Sequence, residues 1–176
     1  MKVDKKIVNL NPSRQPNVEL DDKSSLILGD DLKVNKYRNG DYIPQAISKE
    51  QWVEFGEKEI GAYSITIDRK GKSHYLYNWY AVDDSRGLPP KGWYIPSDEE
   101  LNDLEERLKE NVSYAGYRLN NFGNYYNIGN YGYFWSSTEH DDITAWSRKL
   151  HQNNIIVYQH YLNKQNGFSV RCVKEK

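Results

Sequence analysis

The sequence predicts an α+β fold organised around a carboxyl-terminal antiparallel sheet. Four short runs of aromatic and β-branched residues, at 132–139, 145–150, 155–161 and 166–173, are separated by clusters of Asp, Asn and Gly. This pattern is typical of consecutive antiparallel strands. An amphipathic helix at 96–111 precedes them. A chain of 176 residues has the length of one ordinary domain with a single core.

The amino-terminal residues differ in character from the rest. Residues 1–24 carry two prolines, several Asn and scattered charges, and only Ile7, Val8 and Leu10 offer an apolar anchor. Such a segment buries too little apolar surface to offset the cost of ordering it. We therefore interpret 1–24 as an arm that docks on its own domain or on a neighbouring subunit, and 25–176 as the folded domain.

The first part of the domain is expected to contain short elements. Residues 24–44 predict a strand, a turn at 29–31 and an edge segment with a second turn at Asn39-Gly40-Asp41. A short helical turn is predicted at 53–59, and the alternation at 62–67 indicates a half-buried strand that ends in a turn at 68–72.

The segment 74–84 fits either a helix or a strand by its period. We favour a helix whose buried face carries Leu76, Trp79 and Tyr80. The following residues, 87–96, contain three prolines and two glycines, which predict a rigid loop without regular structure.

The helix predicted at 96–111 has the clearest local signals. Ser97 and Glu100 form a capping-box pattern at its start. Its apolar stripe consists of Leu101, Leu104 and Leu108, and its exposed i,i+4 pairs are Asp103 with Arg107 and Glu105 with Lys109. We interpret its many carboxylates as the solvent-exposed face of the helix and not as a metal or acid/base site.

The stretch 114–133 is rich in two residue types. Eleven of its twenty residues are Asn or Tyr and four more are Gly, and no helix or strand period survives. Loops of this length in compact domains are usually functional or disordered. Tyr with Asn and Gly is also the composition of adaptable recognition surfaces, although the tyrosines have a second interpretation, as side chains that pack the loop onto the domain.

An aromatic binding surface is expected on this loop and on the outward face of the last strands, because successive strand residues point to opposite faces. Such a surface suits stacking on sugars or on the side chains of a partner protein. The candidate ligand-binding residues are Tyr125, Tyr126, Tyr131, Trp146, Tyr158, His160 and Tyr161. Trp135 is expected in the core.

Several kinds of chemistry and partner are disfavoured. The four histidines are scattered, and no metal-binding, nucleophile or phosphate-loop motif occurs, so we expect a protein that is not an enzyme. We expect no cofactor; calcium at Glu139, Asp141 and Asp142 is the alternative, against a solvated acidic turn. A net charge of -1 gives no basis for binding nucleic acid.

Membrane insertion and disulfide formation are disfavoured as well. No apolar run reaches the ~20 residues that a bilayer span needs, and the start lacks the apolar segment of a secretory signal. Cys172 is the only cysteine, which excludes an intrachain disulfide. We expect its thiol to be a small buried hydrophobe.

Five motifs carry a resemblance to a known family, in this order: LYNWYAV, GLPPKGWYIPSDEELNDLEERL, NYGYFWSSTE, AWSRKL and NGFSVRCV. With the lead-in DLKVNKYRNGDYIP they cover residues 32–173, and together they resemble the Fibrobacter succinogenes major paralogous domain. The resemblance implies a C-type-lectin-like fold, related to formylglycine-generating-enzyme domains, with two helices, long loops and a twisted antiparallel sheet whose terminal strands meet.

The resemblance also implies a role in display and binding. Members are typically surface-exposed or secreted, and similar lectin-like folds act as variable binding surfaces in phage and bacteria. Two positions depart from the family pattern: Pro89 stands where a Cys is common, and Tyr94 where His is frequent. Cys172 therefore lacks its implied disulfide partner, which favours maturation in a reducing compartment.

Two functions follow as hypotheses. The first is a non-enzymatic module that recognises a protein partner or a cell-surface glycan. The second is a structural phage virion protein, a capsid decoration or fibre component, whose arm docks on virion or capsid subunits. We expect location at a virion or cell surface, and a homo-oligomer is a further arrangement that either hypothesis accommodates.

Overall fold

The computed structural model describes residues 28–176, with the exception of the side chains of Leu28 and Ile155. The arm residues Ile7, Val8 and Leu10 lie outside this part of the chain, as does the expected boundary at residue 24. The elements, in chain order, are β1 (Leu28–Asp31), α1 (Lys49–Glu57), β2 (Tyr63–Ile67), β3 (Ser73–Tyr77), α2 (Trp79–Val82), β4 (Trp93–Tyr94), α3 (Asp98–Asp103), α4 (Glu105–Leu108), β5 (Tyr117–Arg118), β6 (Tyr125–Tyr126), β7 (Tyr131–Glu139), β8 (Thr144–His151), β9 (Asn154–Asn163) and β10 (Arg171–Lys174).

These elements confirm a mixed α+β class, but the strands form four small sheets where one sheet was predicted. Three long strands form an antiparallel meander in the order β7-β8-β9, and β10 lies between β1 and β4 in a second sheet. The hairpins β2-β3 and β5-β6 form the other two. The described residues contain four helical segments, whereas the family resemblance implied two.

The prediction of 166–173 as a fourth strand of the meander is wrong. Phe168 bridges to Tyr77 and Ser169 bridges to Phe134. The chain then continues into β10, which pairs with β1 and β4. The physical reason is burial: Phe168 is fully buried, with its ring 4.2 Å from that of Trp135, so this segment passes through the core.

The helix predicted at 74–84 is also wrong. Residues 73–77 form β3, which pairs with β2, and only a single helical turn, α2, follows. Asn78 separates the two, because its side-chain oxygen accepts hydrogen bonds from the backbone of Ala62 and Ala81. Leu76 is buried on the strand, Trp79 on the helical turn, while Tyr80 is half-buried.

The predictions for the first part of the domain are confirmed in part. Residues 29–31 do not form the predicted turn. They belong to β1, which is held extended by its antiparallel pairing with β10. The turn at Gly40 is confirmed, with φ +97. Helix α1 starts four residues before the predicted 53–59, because Ser48 and Gln51 provide a capping box there.

The helix predicted at 96–111 forms, with an interruption. Ser97 and Glu100 make the predicted capping box. The helix is divided at Leu104 into α3 and α4, and Glu105 pairs with Lys109 at 3.2 Å as expected. The apolar stripe of Leu101, Leu104 and Leu108 is buried.

Two stretches that were expected to lack regular structure contain short strands. The loop 87–96 includes β4, which extends the sheet of β1 and β10. The Tyr- and Asn-rich stretch includes the two-residue strands β5 and β6. Strand β4 pairs with the distant β10, and β5 and β6 form a two-residue hairpin. The periodicity of hydrophobic residues along the sequence does not reveal either pairing.

The main buried cluster joins residues of the meander, of the β2-β3 hairpin and of α2, and a smaller cluster packs Leu108 against Phe134 and Leu150 of the meander. Trp135 is buried in the main cluster as predicted, and its Nε1 donates to the carbonyl of Tyr77 at 2.9 Å. Cys172 is a free, buried thiol, also as predicted, and burial raises its pKa to about 12. Between residues 28 and 176, no helix is long and apolar enough to cross a bilayer.

Candidate functional site

One face of the β7-β8-β9 meander gathers aromatic side chains around a lysine. In the sheet register Tyr133 lies opposite Lys149, and Lys149 lies opposite Tyr158. Directly paired residues of antiparallel strands share a face, and the same face continues two residues along each strand. We call this surface the tyrosine face; it comprises Tyr117, Tyr126, Tyr131, Tyr133, Lys149, Tyr158 and His160.

The β5-β6 hairpin adds two rings to this face. Tyr117 and Tyr126 are paired across the hairpin and stack with ring centroids 5.6 Å apart. The ring of Tyr117 lies 5.0 Å from that of Tyr133, which in turn stacks on Phe168 at 5.2 Å. The rings therefore form a continuous aromatic layer from the hairpin to the core.

Gly116, just before β5, allows the chain to lie close to the backbone of residues 126–128. Its φ is +69, which favours glycine. A Cβ at this position would lie 2.7 Å from the backbone nitrogen of Ile128 and would overlap the carbonyl oxygen of Tyr126. The position of Tyr117 on the tyrosine face thus depends on the absence of a side chain at residue 116.

Arg118 anchors the same hairpin from its other side. Its guanidinium is buried and donates to the carbonyls of Gly123 at 3.0 Å, Ala46 at 2.9 Å and Ser48 at 2.6 Å. It also lies 4.9 Å from the ring centroid of Trp52. Burial lowers the pKa of Arg118, but a guanidinium remains charged at neutral pH.

A cavity of about 220 Å³ opens on the tyrosine face. Its walls are mostly aromatic and aliphatic, with an ammonium, an imidazole and an amide among them. The lining residues are Tyr117, Leu119, Tyr133, Lys149, His160, Leu162, Asn166 and Phe168. Apolar walls with a few polar groups are typical of small-ligand sites.

The electrostatics of the tyrosine face are simple. The ammonium of Lys149 lies 4.6 Å from the ring centroid of Tyr131 and 5.9 Å from that of Tyr133, which is within the range of cation–π attraction. Burial, and secondly the charge of Lys149, lower the pKa of His160 below its ordinary value. Burial raises the pKa of Tyr133. Burial thus favours the neutral forms of the imidazole and the phenol, and Lys149 is the basic residue that supplies the positive charge of this face.

The seven predicted ligand-binding residues do not form one surface. Four lie on the tyrosine face: Tyr126, Tyr131, Tyr158 and His160. Trp146 and Tyr161 pair with each other on the opposite face of the meander, where His140 stacks on Tyr161 at 4.0 Å. Tyr125 packs under Arg118 and donates from its hydroxyl to the carbonyl of Ile65 at 3.1 Å.

Sequence reasoning missed three residues of the tyrosine face, Tyr117, Tyr133 and Lys149. Of the residues that line the cavity, Phe168 among them, it singled out His160 alone. Tyr117 and Tyr133 were inside the Tyr- and Asn-rich stretch but were not singled out. The alternation of side chains along β8 and β9 was the available signal for Lys149, because residues on one face of a strand recur at every second position. Phe168 carries no such signal, because it reaches the cavity from a segment outside the meander.

Two of the three acidic residues proposed for calcium, Glu139 and Asp141, are engaged in other contacts. The carboxylate of Asp141 accepts from the backbone of Ile143 at 2.9 Å and Thr144 at 2.7 Å, and these hydrogen bonds lower its pKa. Glu139 pairs with the buried ammonium of Lys164. No group of three acidic, His or Cys side chains suited to a metal occurs in the part of the chain that the structure describes.

Comparison with known proteins identifies the family. The model of the Fibrobacter succinogenes major domain matches residues 28–115 and 108–174, which include every residue of the tyrosine face. No curated protein and no solved structure matches the chain. The matched segments cover most of the sequence, in the region where the five motifs predicted the resemblance. The chain therefore belongs to the Fibrobacter succinogenes major domain family.

Proposed function

We propose that this protein is a non-enzymatic binding module that recognises a glycan or a protein surface through the tyrosine face. The observation that carries the proposal is the open cavity of about 220 Å³, framed by the rings of Tyr117, Tyr133 and Phe168 and edged by Lys149 and His160. Aromatic rings supply contact area at low entropic cost, and the few polar groups beside them orient a ligand.

The polar groups of this cavity suit binding better than covalent chemistry. The described lining residues include a lysine, an imidazole and an amide, without a hydroxyl or thiol nucleophile hydrogen-bonded to a base. The amide of Asn166 is itself held by the backbone N–H of Asn120, which donates to it at 3.0 Å. We propose no cofactor and no metal for this site.

We also propose the C-type-lectin-like architecture for the domain. Two features support it: β1 and β10, at opposite ends of the described chain, pair with each other, and long loops connect short elements. An experimental structure compared with lectin-like domains tests this assignment, and a strand order that superposes on none of them would contradict it.

Matched tyrosines on one strand provide the test of the proposed function. Tyr158 lies on the tyrosine face with 40% of its surface exposed, and Tyr161 lies on the opposite face with 53% exposed. Neither replacement by Ala opens a core cavity, so both variants should fold. We expect Tyr158→Ala, alone or with Tyr126→Ala, to reduce binding in glycan arrays and cell-surface pull-downs about tenfold, by loss of a stacking contact.

Tyr161→Ala is the control and should bind as the unmodified protein does. Equal losses in Tyr158→Ala and Tyr161→Ala would contradict the tyrosine face as the binding surface. Complete absence of binding to glycans and to cell-surface proteins would contradict the recognition function as a whole.

A virion component is the second candidate function. The observation that favours it is Cys172, a buried thiol with Pro89 where a partner cysteine is common in the family, which suits assembly without oxidation. Deletion of residues 1–22 should abolish incorporation into particles and leave ligand binding by the domain intact. Normal incorporation of the deleted chain would contradict a docking role for the arm. Absence of the intact chain from purified particles would contradict the virion location that this hypothesis assigns.

A further inference from the structure

Negative charge is nearly absent from the region that builds the tyrosine face. Between residues 111 and 174, the only acidic residues are Glu139, Asp141 and Asp142. All three belong to the turn region that joins β7 and β8, where Glu139 pairs with Lys164 and Asp141 accepts hydrogen bonds from the turn backbone. The tyrosine face therefore has no acidic side chain of its own.

The β7-β8-β9 meander carries one Arg and one Lys side chain, and they differ in their partners. Arg148 is buried and is paired with Asp98, with a further hydrogen bond of 2.8 Å to the side chain of Asn102. Lys149 points to the other face, where its ammonium forms no ion pair with any described carboxylate. Its charge faces aromatic rings and is not neutralised there.

The surroundings hold the Lys149 ammonium at the cavity. Lys149 lies between Tyr133 and Tyr158 in the register, and it lines the cavity together with His160 and Asn166. Attraction to the Tyr131 ring restrains the long side chain, so less entropy is lost when the ammonium meets a ligand. A restrained cation beside an apolar cavity is suited to a ligand that joins an anionic group to an apolar face.

We infer that the ligand of the tyrosine face is an anionic sugar residue, with its ring packed against the half-buried Tyr117 and its acidic group on the ammonium of Lys149. This inference rests on the proposed function. A cavity of about 220 Å³ is below the usual range for drug-sized ligands, roughly 300–1,000 Å³, and is closer in scale to a single ring. An Asp or Glu side chain of a partner protein supplies the anion but little apolar area to cover the rings.

The charge comes either from a carboxylate or from a sulfate, and matched probes separate the two. The carboxylated probes are an oligogalacturonide and sialyllactose, and the sulfated probe is 3′-sulfolactose, which carries no carboxylate. The neutral counterparts are the fully methyl-esterified oligogalacturonide and lactose. Calorimetric titration of each probe is made with the full chain and with Lys149→Met, Lys149→Arg and Lys174→Met. Lys174 is an exposed lysine on β10, outside the tyrosine face.

We expect at least one anionic probe to bind the full chain more tightly than its neutral counterpart. Lys149→Met should weaken that binding about ten- to hundredfold, the usual effect of losing a hydrogen bond to a charged group. Lys149→Arg should keep it within about threefold, and Lys174→Met should leave it unchanged. Comparison of the carboxylated with the sulfated probes identifies the acidic group.

Other outcomes separate the inference from the function on which it rests. Binding of neutral glycans or of a protein that depends on Tyr158 but not on Lys149 would overturn the inference and leave the proposed function standing. Equal weakening by Lys149→Met and Lys174→Met would overturn it as well, because the attraction would then be unspecific. No binding by any probe or protein would overturn both.

Discussion

The guanidinium of Arg118 donates a hydrogen bond of 2.9 Å to the carbonyl oxygen of Ala46, 72 residues earlier in the chain. With its bonds to Ser48 and Gly123, this side chain ties the β5-β6 hairpin to the start of α1. The hairpin carries Tyr117 and Tyr126, so the same buried charge positions part of the tyrosine face.

Replacement of Arg118 should therefore destabilise the protein strongly. We expect Arg118→Met to lower the free energy of unfolding by about 3 kcal/mol, because three carbonyls lose their donor inside the protein. Arg86→Met is the matched control: Arg86 pairs with Asp84 at a site where 37% of its side chain is exposed, and its loss should cost about 1 kcal/mol or less. Urea denaturation measures both, and equal effects would contradict a special role for Arg118.

A side chain at residue 116 should disturb the hairpin. Gly116→Ala combines strain at positive φ with overlap against the backbone of residues 126–128, and we expect a loss of about 2–4 kcal/mol. Gly71→Ala has a similar φ of +80 but no atom within 4 Å of the new Cβ, so it should show only the cost of strain, about 1 kcal/mol. Thermal unfolding compares the two, and an equal cost would show that the close approach at Gly116 is unimportant.

Asp68 should make stability depend on pH in the acid range. A hydrogen bond with His74, and then one from the backbone N–H of Lys72, lower the pKa of Asp68 to about 2, from an ordinary value of 3.8. The stabilisation is therefore complete above pH 4 and is lost as the pH falls toward 2. Asp68→Asn should reduce this loss between pH 4 and 2 in denaturation measured as a function of pH. An unchanged pH profile in the variant would contradict the assignment.

Cys172 should be unreactive in the folded protein. Burial raises the pKa of its thiol to about 12, which leaves almost no thiolate at neutral pH, and the sulfur is also inaccessible to a reagent. A maleimide should label it only after unfolding in urea. A cysteine placed at the exposed position 174, in a Cys172→Ala background, provides the reactive control. Rapid labelling of native Cys172 would contradict its burial.

Calcium should not change thermal stability. Glu139 already forms an ion pair with Lys164, and Asp141 accepts hydrogen bonds from the turn backbone. Binding a cation would require the loss of these contacts. We expect the same melting temperature in millimolar calcium and in chelator. A rise in melting temperature with calcium that Asp141→Asn removes would contradict this expectation.

Local signals in the sequence predicted local structure well. The capping box of Ser97 and Glu100 and the buried stripe of leucines depend on residues three or four positions apart, so both were predictable without knowledge of the fold. The structure of the segment at 74–84 was not predictable in this way. Leu76 and Trp79 are buried whether they lie on one helix or on a strand followed by a helical turn. Pairing of β3 with β2 decided between the two.

The sequence by itself determined the family, the α+β class, the helix of 96–111, the buried Cys172 and a surplus of tyrosine in the stretch 114–133. Only the tertiary structure decided which rings meet. Tyr158 and Tyr161 look equivalent along the chain, yet strand alternation sends them to opposite faces. Tyr117 and Phe168 reach the cavity from outside the meander. Side-chain parity depends on register, and register depends on contacts between distant residues, which local composition does not specify.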